Sequence, residues 1–126
     1  MQFRLKTSKR TEEIFNALYQ REYLQPFALS KISISLAIHN KYHALQDEEI
    51  ADCDGIDLNR QTITSENDML FKALIEMNEG RFIPEEEYFP NVLKKYIDYG
   101  ATLLEQEYKY NYRDIYTHLV NLDQGI

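Results

Sequence analysis

Tryptophan is absent from the sequence, and cysteine, glycine and proline are scarce, with one, four and three residues among 126. The single cysteine, Cys53, cannot form an intramolecular disulfide, so a reducing, cytoplasmic compartment is the simplest expectation. Four widely separated glycines cannot build a phosphate-binding or dinucleotide-binding loop, because both need closely spaced glycines. No apolar run reaches the roughly 20 residues of a membrane span, and the charged N-terminus does not resemble a signal peptide.

Catalytic and metal-binding patterns are also missing. His39 and His43 are four residues apart, but a helix is expected to end between them and no third ligand is obvious. The acidic segment 52–55 does not fit a calcium loop, since ligand positions would fall on apolar and amide residues. Two aspartates flank Cys53 and disfavour its thiolate, while the glutamates at 85–87 are typical of a solvated surface. We therefore expect no catalytic residue, no cofactor and no metal; nuclease or thiol-transfer chemistry through Cys53 or the carboxylates is the enzymatic alternative.

Charge is divided unequally between the two parts of the chain. The whole sequence has a net charge of −7. Residues 1–45 nevertheless hold seven basic residues against three acids, a net of +4, whereas residues 46–126 hold seven against eighteen, a net of −11. This asymmetry indicates a basic surface that meets a polyanion and an acidic body that limits indiscriminate binding, although clustered surface charges are the plainer reading.

The N-terminus predicts a short strand. Residues 2–6 alternate apolar and polar side chains, which gives the strand an apolar side and a basic side that carries Arg4 and Lys6. The sequence leaves open whether this strand pairs with another chain, packs against residues 58–63 of its own chain or stays extended.

Two helices are predicted directly after the strand. Thr7 or Ser8 can cap the first, which ends near Tyr23. The second begins near Pro26, because proline is tolerated in a first turn, and ends near Asn40. The order strand, helix, helix with a basic outer strand face is that of ribbon-helix-helix DNA-binding proteins.

The remaining residues predict an acidic loop at 47–59, an extended piece at 58–63 and two or three further helices. One helix runs from Ser65 to Gly80, the longest covers 92–108, and a short one covers 113–122. The apolar stripes expected to face the core are Leu70, Phe71, Leu74 and Met77 in the first, and Leu93, Tyr96, Ile97, Gly100 and Leu104 in the longest. A glycine inside a helix indicates close helix contact or a local break.

The fold class expected is therefore mainly α, a small helical domain whose strand and first two helices are ribbon-helix-helix-like. Neither an internal repeat nor a linker is visible, so residues 1–126 are predicted to form one domain. Its parts are a basic segment at 1–45, an acidic loop with the third helix at 46–80, and a tyrosine-rich helical part at 81–126.

Tyrosine is abundant, with ten residues, and most of them follow residue 87. Stacking on nucleic-acid bases is disfavoured because these rings lie in the acidic half, where a phosphate backbone is repelled. Helix packing or a subunit interface is the better explanation. The tyrosines concerned are Tyr96, Tyr99, Tyr108, Tyr110, Tyr112 and Tyr116.

Three segments resemble a known family. They read FRLKTSK from residue 3, QPFALSKISISLAI from residue 25 and DGIDLNRQTITSENDMLFKALI from residue 54. Together they are similar to the DndE family of small bacterial proteins, which is encoded with the DNA phosphorothioation machinery. The resemblance covers residues 3–79, and its most specific residues are Gly55, Asp57, Asn59, Arg60, Thr62 and Ser65. Gln25 and Lys31 depart from the arginines usual in the family.

The resemblance implies a mainly helical homotetramer, related to the ribbon-helix-helix class, that binds DNA and prefers nicked duplex. It implies no established catalytic residue. The sulfur chemistry of such systems belongs to partner proteins, a cysteine desulfurase and an iron–sulfur protein among them.

The resulting hypothesis is a non-enzymatic DNA-binding subunit of a phosphorothioation complex in the bacterial cytoplasm. The phosphate contacts are expected from Arg4, Lys6, Lys9, Arg10, Arg21 and Lys31, assisted by the backbone N–H groups at the start of the first helix. No array of side chains suited to reading base edges is visible, so sequence discrimination is not implied. The alternative is a protein-interaction adaptor of the same complex that never contacts DNA.

Overall fold

The computed structural model describes residues 3–111, which are mainly helical with one two-stranded antiparallel sheet. In chain order the elements are β1 (Arg4–Lys6), α1 (Lys9–Glu22), α2 (Pro26–His39), a 3-10 turn (Ala44–Gln46), β2 (Asp57–Asn59), α3 (Arg60–Thr64), a second 3-10 turn (Ser65–Asn67), α4 (Asp68–Glu79), α5 (Glu85–Glu87), a π turn (Tyr88–Val92) and α6 (Leu93–Asn111). The mainly helical fold is thus confirmed. The short helix expected at 113–122 lies outside the described residues.

The ends of the first two helices confirm the sequence prediction. Ser8 is the N-cap of α1, and its hydroxyl accepts a hydrogen bond from the N–H of Thr11. Tyr23 ends the helix in the left-handed conformation, where its N–H donates to the carbonyl of Tyr19. Pro26 then opens α2 from its first turn.

The N-terminal strand pairs with its own chain. In β1, Leu5 lies opposite Leu58 of β2, and both leucines are buried beneath the sheet. Arg4 and Lys6 point to the exposed outer side, as the alternation predicted. The extended piece predicted at 58–63 is only partly correct, because the chain turns into α3 at Arg60.

The centre of the core is the contact between α2 and α6. The stripe predicted for α6 is buried, and Gly100 lies directly against α2: a Cβ atom there would be 1.8 Å from the carbonyl oxygen of Ser33. Ser33 and Ala37 are themselves fully buried small residues. The prediction that Gly100 marks close helix contact is therefore confirmed.

Most of the apolar stripe predicted for the third helix does not face the core; of its four residues only Phe71 is partly buried against the core. Of α4, only Ile75 is fully buried, whereas Leu70, Leu74 and Met77 are exposed. The inner side carries polar groups that find partners in neighbouring elements, so burial there does not require an apolar stripe. The helix begins at Asp68 rather than at Ser65, and it ends at Gly80 in the left-handed conformation, as predicted.

The segment that carries the family resemblance connects the sheet to the helices. A Cβ atom on Gly55 would be 2.1 Å from the Ser8 carbonyl oxygen, so this position requires glycine. Asn59 caps α3 by accepting from the N–H of Gln61 at 2.8 Å. Thr62 donates its hydroxyl to the Asn59 carbonyl at 2.8 Å. These residues therefore have structural roles that account for their pattern in the sequence.

Tyrosine rings pack between helices, as predicted for this residue type in α6. Tyr42 stacks on Tyr99 with ring centroids 4.1 Å apart, and meets Tyr96 edge to face at 5.2 Å. The hydroxyl of Tyr96 donates to Glu79, and burial together with this carboxylate raises the pKa of Tyr96. Tyr96 is therefore a packing residue that joins α6 to α4.

Candidate nucleic-acid interface

Four of the six predicted DNA-contacting residues lie in β1 and at the start of α1. Arg4 and Lys6 are on the outer side of β1, and Lys9 and Arg10 form the first turn of α1. All four side chains are exposed. Because β1 is held by β2 and α1 is packed on the core, these cations are presented on fixed backbone.

Three of these four cations already have carboxylate partners. Arg4 lies 3.6 Å from Asp57 of β2, and the ammonium of Lys9 donates to Glu12 at 2.7 Å. The hydrogen bond that Lys9 donates to Glu12 raises the pKa of Lys9, so the ammonium stays charged. The remaining cation, Lys6, has no ion pair within residues 3–111.

Arg10 is held by two carboxylates. Its guanidinium lies 3.5 Å from Glu13, one turn further along α1, and it also donates to Glu105 of α6. These acids lower the local positive charge. Exposed ion pairs contribute only about 0 to 1 kcal/mol, however, so each of them is weak enough to exchange for another anion.

Arg21 and Lys31 do not join this group. Arg21 is in the last turn of α1, about 18 Å along the helix axis from Lys9 at 1.5 Å per residue. There it is exposed and interacts favourably with the helix dipole. Lys31 is half-buried in the second turn of α2, the element that follows this far end of α1. The four residues of β1 and the first turn of α1 are called the N-terminal cation group below.

The backbone N–H groups at the start of α1 are not free to bind phosphate, so that expectation is wrong. The Ser8 N–H donates to the Asp98 carboxylate at 3.0 Å, and the Lys9 N–H donates to Asp52 at 2.7 Å. The N–H groups of Lys9 and Asp54 hold the pKa of Asp52 below its usual value. The N–H groups of Thr11 and Glu12 bond to Ser8. The protein's own carboxylates therefore occupy the position that a phosphate would take at the start of α1.

Sequence reasoning missed Asp98, which fixes the direction of α1. One carboxylate oxygen accepts from the Ser8 N–H and from the Thr11 hydroxyl at 2.6 Å, while the other accepts from Lys94 at 2.5 Å. The signal in the sequence was an acid one helical turn after a lysine, next to an apolar stripe. Its partner in α1, 90 residues away, could not be read from spacing.

Features of a catalytic centre are not found in the part of the chain that the structure describes. Cys53 is exposed in the loop between the 3-10 turn and β2. Residues 3–111 contain no cluster of three histidine, cysteine or acidic side chains placed to hold a metal. Within the same residues, no helix is both long and apolar enough to cross a membrane.

The family model described as "DNA sulphur modification protein DndE" matches residues 4–112. Among solved structures, the crystal structure of DndE from Escherichia coli B7A, involved in DNA phosphorothioation modification, has a TM-score of 0.67 at 13% identity, covering 82% of this chain and 97% of that one. A glycine-to-lysine mutant of DndE involved in DNA phosphorothioation has a TM-score of 0.62 at 13% identity, with 84% and 99% covered. No curated protein matches the chain in sequence.

The two structural likenesses show a shared fold, and the family match extends over most of the chain, including every described element. Apart from Phe3, the sequence segments that resembled the family all fall within the matched residues. On these grounds the chain belongs to the DndE family of DNA sulphur modification proteins.

Proposed function

We propose that this chain is a non-enzymatic, cytoplasmic DNA-binding subunit of a bacterial DNA phosphorothioation system, and that the N-terminal cation group contacts the phosphate backbone. Family membership and the shared fold with two DndE proteins involved in DNA phosphorothioation support the process. The observation that supports DNA contact is the presence of four exposed cations within seven residues, on a strand and a helix start that the core holds in place.

The carboxylates around the cations define how binding would proceed. Lys6 meets a phosphate first, because it has no ion-pair partner within residues 3–111. Arg4 and Arg10 then exchange Asp57 and Glu105 for phosphate oxygens, which a guanidinium can bind through two N–H groups. Each exchange costs an existing ion pair, so a single chain binds weakly and a homotetramer gains affinity by presenting several cation groups to one duplex. Contact with phosphates alone carries no sequence information.

Charge reversal tests this placement. The double variant Lys6→Glu with Lys9→Glu should lower affinity for duplex DNA by about tenfold or more at low salt, because two phosphate contacts become repulsive. The matched control is Arg81→Glu, an exposed cation of the acidic half. Fluorescence anisotropy with a labelled duplex measures both; equal effects of the two charge reversals would contradict the placement.

Removing the competing acids should have the opposite effect. Glu105→Gln removes one of the two carboxylate partners of Arg10, and Asp57→Asn removes the partner of Arg4. Each should raise DNA affinity by about two- to fivefold, the value of an exposed ion pair. Glu66→Gln, an exposed acid elsewhere, is the control and should change affinity less. An unchanged affinity in the first two variants would mean that these arginines do not contact DNA.

The alternative function, an adaptor that does not touch DNA, is favoured by one observation: α4 presents an apolar face to solvent. An adaptor predicts no measurable DNA binding at any salt concentration. Protein docking through α4 is itself compatible with DNA contact, since the cation group and α4 are different parts of the molecule, so DNA binding is the measurement that separates the two functions.

A further inference from the structure

The outer side of α4 is an apolar stripe exposed to solvent. Met69 and Met77 are 86% and 77% exposed, Leu70 and Leu74 are 56% and 37% exposed, and Ala73 between them is also exposed. Their spacing of one, four, five and eight residues places all five on one side of the helix. These five residues are called the α4 apolar face.

The helix α4 cannot turn this face towards the core, because hydrogen bonds at both of its ends hold it in place. At one end, Asp68 is fixed by hydrogen bonds from Arg60 at 2.9 and 3.0 Å. At the other end, Asn78 donates to the Tyr96 hydroxyl at 2.8 Å, and Glu79 accepts from the N–H of Ala44 at 2.8 Å. The polar side of α4 is therefore locked inward, and the apolar side points outward.

The size of the exposed face is that of a binding surface. Five adjacent apolar side chains with these exposures form a patch on the order of 500 Å², comparable with the largest patch on a typical monomer. A standard protein interface buries about 800 Å² on each partner, so the face supplies most of an interface core. Methionine, which adapts its shape to a partner, forms both ends of the stripe.

The surrounding charge distinguishes between possible partners. Residues 65–87 contain seven acids and two bases, a net charge of −5. Asp68 and Glu79 are held inward, whereas Glu66, Glu85 and Glu86 are exposed to solvent. DNA would be repelled here. A second copy would bring the same negative region against this one, because a two-fold interface uses the same patch on both chains, and like charges across an interface are unfavourable. A partner with positive charge beside an apolar stripe meets neither penalty.

We propose that the α4 apolar face is a docking site for another protein, and that the docked segment is an amphipathic helix whose apolar stripe is flanked by lysine and arginine. Such a helix lays its apolar side along the α4 apolar face and places its cations against the exposed acids nearby. This site is separate from the N-terminal cation group, so one subunit can hold DNA and a partner protein together.

Photo-crosslinking identifies the occupant directly. A benzoylphenylalanine replaces Met77 in the full chain, which is expressed at its natural level in the source cells and irradiated, and the cross-linked peptide is sequenced by mass spectrometry. The control carries the same group at Ile50, which is 91% exposed in a loop. We expect position 77, and not position 50, to yield a peptide from another protein with an apolar stripe and lysine or arginine beside it.

Three results would overturn the proposal: crosslinks to a second copy, crosslinks within the same chain, or no crosslinked protein at position 77. The sequenced segment, made as a labelled peptide, should then bind the purified chain at least about tenfold more weakly when Met69 and Met77 are changed to glutamine. Because both side chains are exposed, the variant should unfold at nearly the wild-type temperature. A peptide that binds the variant and the wild type equally would also reject the site.

Discussion

Replacing Gly100 with alanine is expected to destabilise the fold by about 3 kcal/mol. The added Cβ atom would lie 1.8 Å from the carbonyl oxygen and 2.3 Å from the carbonyl carbon of Ser33. Both are backbone atoms inside α2, so no side chain can rotate away. The two central helices would have to separate, and the packing between them would be lost.

Urea denaturation of purified wild-type and variant chains measures this difference. Gly80→Ala is the control, since a Cβ atom there meets nothing within 4 Å and only the left-handed backbone resists alanine, at a cost of about 1 kcal/mol. If Gly100→Ala were no more destabilising than Gly80→Ala, the result would contradict the close contact between α2 and α6 at Gly100.

Replacing Arg60 with methionine is expected to cost about 3 kcal/mol, because it removes the only guanidinium paired with the partly buried carboxylate of Asp68 within residues 3–111. The Arg60 side chain is only 17% exposed and donates to Asp68 and Glu85. Its guanidinium carbon also lies 5.3 Å from the Tyr88 ring centre and 5.2 Å from that of Phe89. Arg60 therefore joins α3, α4 and the π turn through one side chain.

The control for this substitution is Arg81→Met, which removes an exposed ion pair with Glu87 and should cost less than about 1 kcal/mol. Thermal and urea unfolding of the two variants separate the predictions. Equal losses of unfolding free energy in the two variants would show that Arg60 contributes no more than an exposed ion pair.

The contacts of Asp68 with Arg60 and Thr64 predict that the stability of the fold depends on pH. Burial acts to raise the pKa of Asp68, but hydrogen bonds from Arg60 and Thr64 outweigh it and hold the pKa below its usual value. A carboxylate with a lowered folded-state pKa stabilises the fold above its unfolded value, near pH 4, and this contribution is lost as pH falls through the folded-state pKa. Arg60→Met should therefore lose less stability than the wild type on acidification from pH 5. A parallel loss in both proteins would reject the coupling.

The helices could be predicted from the sequence because the residues that start, end and face each helix lie close together along the chain. Capping at Ser8, the proline start of α2 and the stripe of α6 follow from residues a few positions apart. Even the close contact at Gly100 could be expected, since glycine inside a helix is costly unless another backbone needs the space.

The orientation of α4 could not be predicted from its stripe. Periodicity shows that Leu70, Leu74 and Met77 share a side, but it does not show which side meets the protein. The inner side carries polar groups beside Ile75 because Asn78 and Glu79 have partners in distant segments, at Tyr42 and Ala44. Only those pairings, which join residues far apart in sequence, decide that the apolar side faces outward.

The candidate DNA-binding site was predictable only in part, for a related reason. Its cations are adjacent in the sequence, so their clustering could be read directly. The carboxylates that meet them are not adjacent: Glu105 is 95 residues from Arg10. The availability of the backbone N–H groups at the start of α1 was predicted wrongly for the same reason. Asp98, which accepts from the Ser8 N–H, lies 90 residues from it.

The most direct test of the central claim is the salt dependence of DNA binding by the unmodified chain. Affinity for intact and nicked duplexes is measured by fluorescence anisotropy between about 50 and 200 mM potassium chloride. If the four cations of the N-terminal group each neutralise one phosphate, affinity should fall about 100-fold over this range. Absence of binding at 50 mM, or binding that does not weaken with salt, would contradict the account.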